Sequence, residues 1–183
     1  MVDLYFVRHG EASSSWEAST DPGLSALGHR QSKSVSEEIS ALEQRIKLYS
    51  SPLLRAQETA DPLVRKWGVP LEIEPAIAEI PSGGISLENR RQWLSTLMTQ
   101  SWSEQPQNLL DWRAGILGVM ERQTSSAVFF THFMVLNVIV GALTKTEKIV
   151  SFRPDNCAIT IVRLTKEGPI LLEKGREATT VVR

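Results

Sequence analysis

Apolar and polar positions change period in a regular order along the chain. Residues 2–7 form an almost continuous apolar run, the pattern of a buried strand. A polar, Ser-rich loop carrying Trp16 follows at residues 12–23. Leu24, Leu27, Gln31, Val35, Ile39, Leu42 and Ile46 then recur at steps of three and four, which predicts one long amphipathic helix. A short strand at residues 46–50 ends at Ser51-Pro52. A second helix carries Leu53, Ala56, Ala60, Val64 and Trp67 on one face, and Pro62 should kink or break it. Gly68-Val69-Pro70 punctuates before a third strand at residues 71–74. The turn Pro81-Ser82-Gly83-Gly84 opens a stretch, residues 87–122, that predicts two helices separated by a polar segment at 101–108. The run Ala127 to Thr131 has the unbroken apolar character of a parallel strand covered on both faces. A helix with Met134, Val135, Val138, Ile139, Ala142 and Leu143 follows it. Two strands, 158–164 and 170–173, form a hairpin around residues 166–169.

Strands alternating with helices predict an α/β fold with a mostly parallel sheet. The chain has 183 residues, which fits a single domain over 1–183 with a helical insert at about 82–125. A net charge of −1 and no basic tract argue against nucleic acid as a partner. Cys157 is the one cysteine, so neither an internal disulfide nor a cysteine-based zinc site is expected, and burial is its simplest role. No apolar run approaches a membrane span and no signal segment opens the chain, so a cytoplasmic location is expected. The pattern leaves oligomeric state open, a homodimer included.

Chemistry-bearing residues collect where this topology ends its strands. Arg8 and His9 follow the first strand, Arg55 lies shortly after the second, Glu79 lies in the irregular segment after the third, and His132 follows the central one. In parallel α/β sheets sites lie beyond the carboxyl ends of the strands. Two imidazoles, two guanidinium groups and a carboxyl suit phosphoryl transfer. Arginines surround the phosphoryl oxygens. A neutral imidazole, kept so by nearby cations, attacks phosphorus. A carboxylic acid protonates the leaving oxygen and then activates water. The helix after His132 could add backbone N–H groups, that of Phe133 among them.

Five segments carry a family resemblance. They are Arg8-His9-Gly10-Glu11, the stretch from Asp21-Pro22-Gly23-Leu24 to Gln31, the stretch from Ser50-Ser51-Pro52 through Arg55-Ala56 to Ala60, Ala78-Glu79-Ile80, and Thr131-His132-Phe133. In this order the chain resembles the histidine phosphatase superfamily, also called phosphoglycerate mutase-like. The resemblance implies a three-layer αβα sandwich and a metal-independent phosphoric monoester hydrolase without cofactor. His9 would become phosphohistidine, Arg8, Arg55 and His132 would hold the phosphate, and Glu79 would be the acid/base. At Glu79 the chain departs from the family, whose donor usually precedes a Trp-Glu-Gly-like turn.

The first functional reading is therefore a phosphatase of small phosphorylated metabolites. Mutase-type transfer is an alternative, but the loop after Glu11 lacks the asparagine and Thr-Gly-Trp-like stretch of the mutases. A protein phosphohistidine phosphatase is another, ranked lower because of the long insert. A non-enzymatic phospho-ligand domain is the alternative of a different class. Plainer roles stand beside the chemical ones: a solvent-facing His29, a Glu11 that orients a neighbour or forms a salt bridge, and an Arg90-Arg91 pair on a charged helix face rather than at the substrate entrance. Specificity is expected from residues 12–23 and 82–125, where Trp16, Trp93, Trp102 and Trp112 either form an apolar mouth or pack.

Overall fold

The computed structural model describes residues 1–14, 19, 21–42 and 45–178. A six-stranded sheet lies at its centre: β1 (Val2–Arg8), β2 (Lys47–Ser50), β3 (Leu71–Ile73), β4 (Ala127–Thr131), β5 (Ile159–Thr165) and β6 (Gly168–Glu173), in the order β3-β2-β4-β1-β5-β6. The β3–β2, β2–β4 and β4–β1 pairings are parallel, and the β5–β6 hairpin is added antiparallel to β1. Five helices cover the faces: α1 (Ala26–Ser40), α2 (Leu54–Trp67), α3 (Leu87–Leu97), α4 (Gln107–Glu121) and α5 (Phe133–Leu143). Among the described residues no helix is long and apolar enough to cross a membrane.

Strand alternation divides the core. Leu4, Phe6 and Phe129 point to one face, where they meet Ile116 and Val119 of α4 and Met134 and Val138 of α5. Val7, Val128 and Phe130 point to the other, against Val35 and Ile39 of α1 and Ala60 and Leu63 of α2. Both faces of β4 are buried, as its unbroken apolar run predicts. Register places Phe129 opposite both Phe6 and Tyr49, and the three rings stack at 4.8 and 4.9 Å. That ladder ties the three strands that carry the site.

Two expectations need correction. The first helix runs from Ala26 to Ser40, not from residue 24 to 46, and its buried face is Gly28, Ser32, Val35, Ser36 and Ile39, with Leu27 exposed. Small residues face inward because α1 lies close to the turn after β1: a Cβ on Gly10 would stand 2.8 Å from the Gly28 carbonyl oxygen. Leu24 is buried just before the helix, and Ser25 caps it by accepting from the Gly28 N–H. The second correction concerns Pro62, across which α2 continues unbroken, ending at Gly68 with φ 65°. The expected helical insert holds α3, a short 3₁₀ turn at Trp102–Glu104, and α4.

Candidate active site

The backbone ladder continues one residue past the ends of β1 and β2, each bonded to β4. The His9 N–H donates to the Thr131 carbonyl at 2.8 Å, and the Ser51 N–H donates to the Phe130 carbonyl at 2.9 Å. His9, Ser51 and His132 therefore lie side by side at the carboxyl edge of the sheet. Arg55 joins them from the first turn of α2. Of these, Ser51 and His132 are fully buried and Arg55 is 1% exposed.

His9 is held in one protonation pattern. Its Nδ1 lies 2.6 Å from the Gly10 carbonyl oxygen, an acceptor, so Nδ1 carries the proton. Its Nε2 accepts from Arg55 Nε at 3.2 Å, so Nε2 presents a lone pair. The Gly10 N–H donates to the Thr59 hydroxyl, which donates to the Arg55 carbonyl. Asn156 Nδ2 donates to the His9 carbonyl at 3.1 Å. Burial first, then the Arg55 and Arg8 charges, hold the His9 pKa well below its ordinary value, outweighing the Gly10 contact.

The surrounding donors are only partly used. Arg8 donates from Nη1 to the Pro154 carbonyl and lies over the Phe133 ring at 5.3 Å, while its Nε is buried without a partner. Arg55 Nη1 is also unpartnered; the nearest carboxylate, on Asp21, stands 4.0 Å away. His132 shares its Nε2 with the Ser51 hydroxyl at 2.7 Å, and its Nδ1 has no partner. Its ring centroid lies 5.1 Å from that of His9. Burial, then His9, Arg55 and Arg8, keep His132 neutral as well. Buried donors without acceptors are rare, and clustered around two imidazoles they form a site for an anion.

Glu79 stands at the rim. With Arg55, Leu53, Ser82 and Arg90 it lines a cavity of about 180 Å³. Burial raises its pKa above the ordinary carboxyl range, against the lowering effect of the Ile80 N–H, Arg55, Arg8 and the Met134 N–H. The segment that carries it is pinned by two bonds: the Thr131 hydroxyl donates to the Ile77 carbonyl, and Trp112 Nε1 donates to the Ala78 carbonyl at 3.1 Å.

All five candidates thus fall in one region, with Glu79 beside rather than inside the cluster. Arg90 corrects the expectation of a plain charged helix face, because it lines the cavity with its Nε buried and unpartnered, whereas Arg91 is exposed. Trp102 packs in the core, tilted against Trp112 at 6.3 Å, rather than forming a mouth. His29 is exposed, and Glu11 orients a neighbour by accepting from the Ser25 hydroxyl. Trp16 lies outside the described residues. Sequence reasoning gave no role to Ser51, Asp21, Thr59 or Asn156, and it offered Trp112 as a mouth or packing residue, not as a support of the Glu79 segment. Asp21 accepts from the Leu54 N–H and so caps α2 at the turn that carries Arg55. The signal for Ser51, Asp21 and Thr59 was their place inside the matching segments; Asn156 had none. Among the described residues no group of three or more His, Cys, Asp or Glu side chains is placed to hold a metal ion.

The model of the histidine phosphatase superfamily (branch 1) matches residues 4–176. YhfR of Bacillus stearothermophilus superposes with a TM-score of 0.80 at 20% identity, over 97% of this chain and 98% of that one. The α-ribazole phosphatase of Shigella flexneri gives 0.76 at 19% identity over 100% of both. Phosphoserine phosphatase of Entamoeba histolytica, in complex with phosphoserine, gives 0.71 at 22% over 94% and 96%. These likenesses show the fold. A curated relative, the PE-PGRS family protein PE_PGRS11 of Mycobacterium tuberculosis, is 32% identical over 87 residues, which are 45% of this chain; the match spans 15% of that protein's length.

Proposed function

The chain belongs to the histidine phosphatase superfamily, branch 1, and on that premise we propose that it hydrolyses phosphomonoesters of small metabolites through a phosphohistidine on His9. The observation that carries this reading is the His9 Nε2 lone pair, set among buried donors of Arg8, Arg55 and His132 that lack acceptors. Relatives of the same fold that act on phosphoserine and α-ribazole phosphate support the small-metabolite class.

The phosphoryl group enters with its oxygens toward Arg8, Arg55 and His132. Its oxygens draw the Arg55 guanidinium away from His9 and free Nε2. Nε2 attacks phosphorus, forming the N–P bond as the ester O–P bond breaks. Glu79, whose pKa burial raises, gives its proton to the leaving oxygen. The alcohol departs. The Glu79 carboxylate then takes a proton from water as the water oxygen attacks phosphorus. The N–P bond breaks, its electrons return to Nε2, and inorganic phosphate leaves. The arginines stabilise charge on the equatorial oxygens in both steps.

Hydrolysis of p-nitrophenyl phosphate, with and without a chelator, tests the activity. Turnover that survives chelator and an acid-labile, base-stable phosphoenzyme that disappears in His9→Ala are expected. Full activity in that variant would overturn the mechanism. Rapid interconversion of 2- and 3-phosphoglycerate with bisphosphate primer would place the chain among the mutases instead.

A further inference from the structure

We infer that Ser51 is a positioning residue: its hydroxyl donates to His132 Nε2, fixes the ring as the Nδ1–H tautomer and so presents an N–H to a phosphoryl oxygen. This deepens the phosphatase reading and rests on it.

The hydrogen-bond count around Ser51 supplies the direction. Its Oγ already accepts from the Leu53 N–H at 3.2 Å. A hydroxyl has one proton to give, and among the described residues the acceptor found for it is His132 Nε2, at 2.7 Å. Ser51 is fully buried, so bulk water does not compete for the proton. A neutral ring that accepts at Nε2 must carry its proton on Nδ1. That atom is buried and unpartnered. With the proton there, the ring offers one more donor to the cluster formed by Arg8 and Arg55. With the opposite tautomer, the Ser51 proton would have no acceptor, and an Nδ1 lone pair would face an anion. The opposite tautomer therefore leaves the buried Ser51 proton unsatisfied, in addition to Nδ1, which has no partner within the protein in either form. The backbone holds the pair together independently of the side chains, because the Ser51 N–H is bonded to Phe130, two residues before His132.

The chain has three histidines, so long-range ¹H–¹⁵N correlation of the resting protein reads each ring, with His132→Gln as the assignment control. The wild type should show His132 as the Nδ1–H tautomer. In Ser51→Ala that signal should move toward the Nε2–H or averaged position. The kcat for p-nitrophenyl phosphate should fall at least about tenfold, since loss of the outer partner of a functional imidazole costs about 10–100-fold and a wrong tautomer can cost more. Inhibition by vanadate should weaken in parallel. An Nε2–H tautomer in the wild type, or an unchanged His132 signal in Ser51→Ala, overturns the assignment. The wild-type spectrum decides the matter even if the variant fails to fold. It needs no turnover, so a failure of the phosphatase reading is seen separately, as absence of hydrolysis with the tautomer as expected.

Discussion

The cluster at the strand ends and the cavity beside it are neighbours with opposite construction. His9, Arg55, Ser51 and His132 are at most 8% exposed, and backbone bonds between adjacent strand ends hold His9 and Ser51 in place. The cavity beyond Arg55 is open, and its far wall, Ser82 and Arg90, comes from the turn and helix that follow Glu79. Charges in the buried cluster interact through a poorly screening interior, so small displacements there have large effects. Charges at the rim are screened by water. The chemistry is therefore built where geometry is over-determined, and discrimination is left where side chains can change without disturbing the sheet. Glu79 stands between the two, on a segment pinned from the core by Thr131 and from α4 by Trp112.

Substitutions should separate the two regions by size of effect. His9→Ala should remove at least 10⁴-fold of kcat/KM, since the residual catalysis comes from binding alone. Arg55→Ala should cost about 10²–10³ in kcat, the scale for losing a donor to the transition state. An effect confined to KM would mean that Arg55 only binds. Glu79→Ala should slow alkyl phosphates about 10²–10⁴-fold but aryl phosphates far less, because a good leaving group needs little protonation. Arg90→Ala should raise KM up to about tenfold with kcat nearly unchanged. A larger loss of kcat at Arg90 than at Arg55 would erase the contrast between cluster and rim.

The pH profile sharpens the same contrast. His9 must be neutral to attack, and its depressed pKa keeps it so below the ordinary imidazole value of 6.5. No loss of activity from His9 protonation is expected down to about pH 6. Glu79 must be protonated, and its pKa is raised from 4.5. Activity on alkyl phosphates should therefore fall as pH rises through the Glu79 pKa, and Glu79→Gln should lose that limb. Stability carries the opposite sign for the histidines: below about pH 6.5 the unfolded chain binds protons that the buried rings of His9 and His132 refuse. The folded state should lose about 2 kcal/mol between pH 7 and 5.5 from this pair, measurable by urea unfolding.

Much of this was legible before the structure. The strands were readable because β4 is apolar on both faces and β1 ends abruptly in Arg8 and His9. Arg8, His9, Arg55 and His132 were readable as neighbours because each follows a strand end or sits in a matching segment, whereas Ser51 was given no role. The extent and inner face of α1 were not. Val35 and Ile39 pack inward as the periodicity predicts, but at the start of the helix the inner face is small, Gly28 and Ser32, because Gly28 lies against the backbone of the turn after β1. Arg90 was misread because periodicity cannot tell an exposed cation from one leaning into a cavity. The supports of Trp112 and Asn156 are long-range contacts, 34 and 147 residues apart in the chain, which no local pattern encodes.

The place of β1 in the sheet has a consequence for how the molecule is made. It is synthesised before both of its neighbours, β4 and β5, whose first residues come about 120 and 150 positions later. At roughly 5–20 residues per second, translation leaves this apolar strand without either neighbour for several seconds to half a minute. During that wait it is a sticky segment that benefits from shelter, and refolding from denaturant should be slow for the same reason. The delay has a useful side. His9, Ser51 and His132 cannot stand together until β4 has docked, so a half-made chain carries a histidine but no reagent.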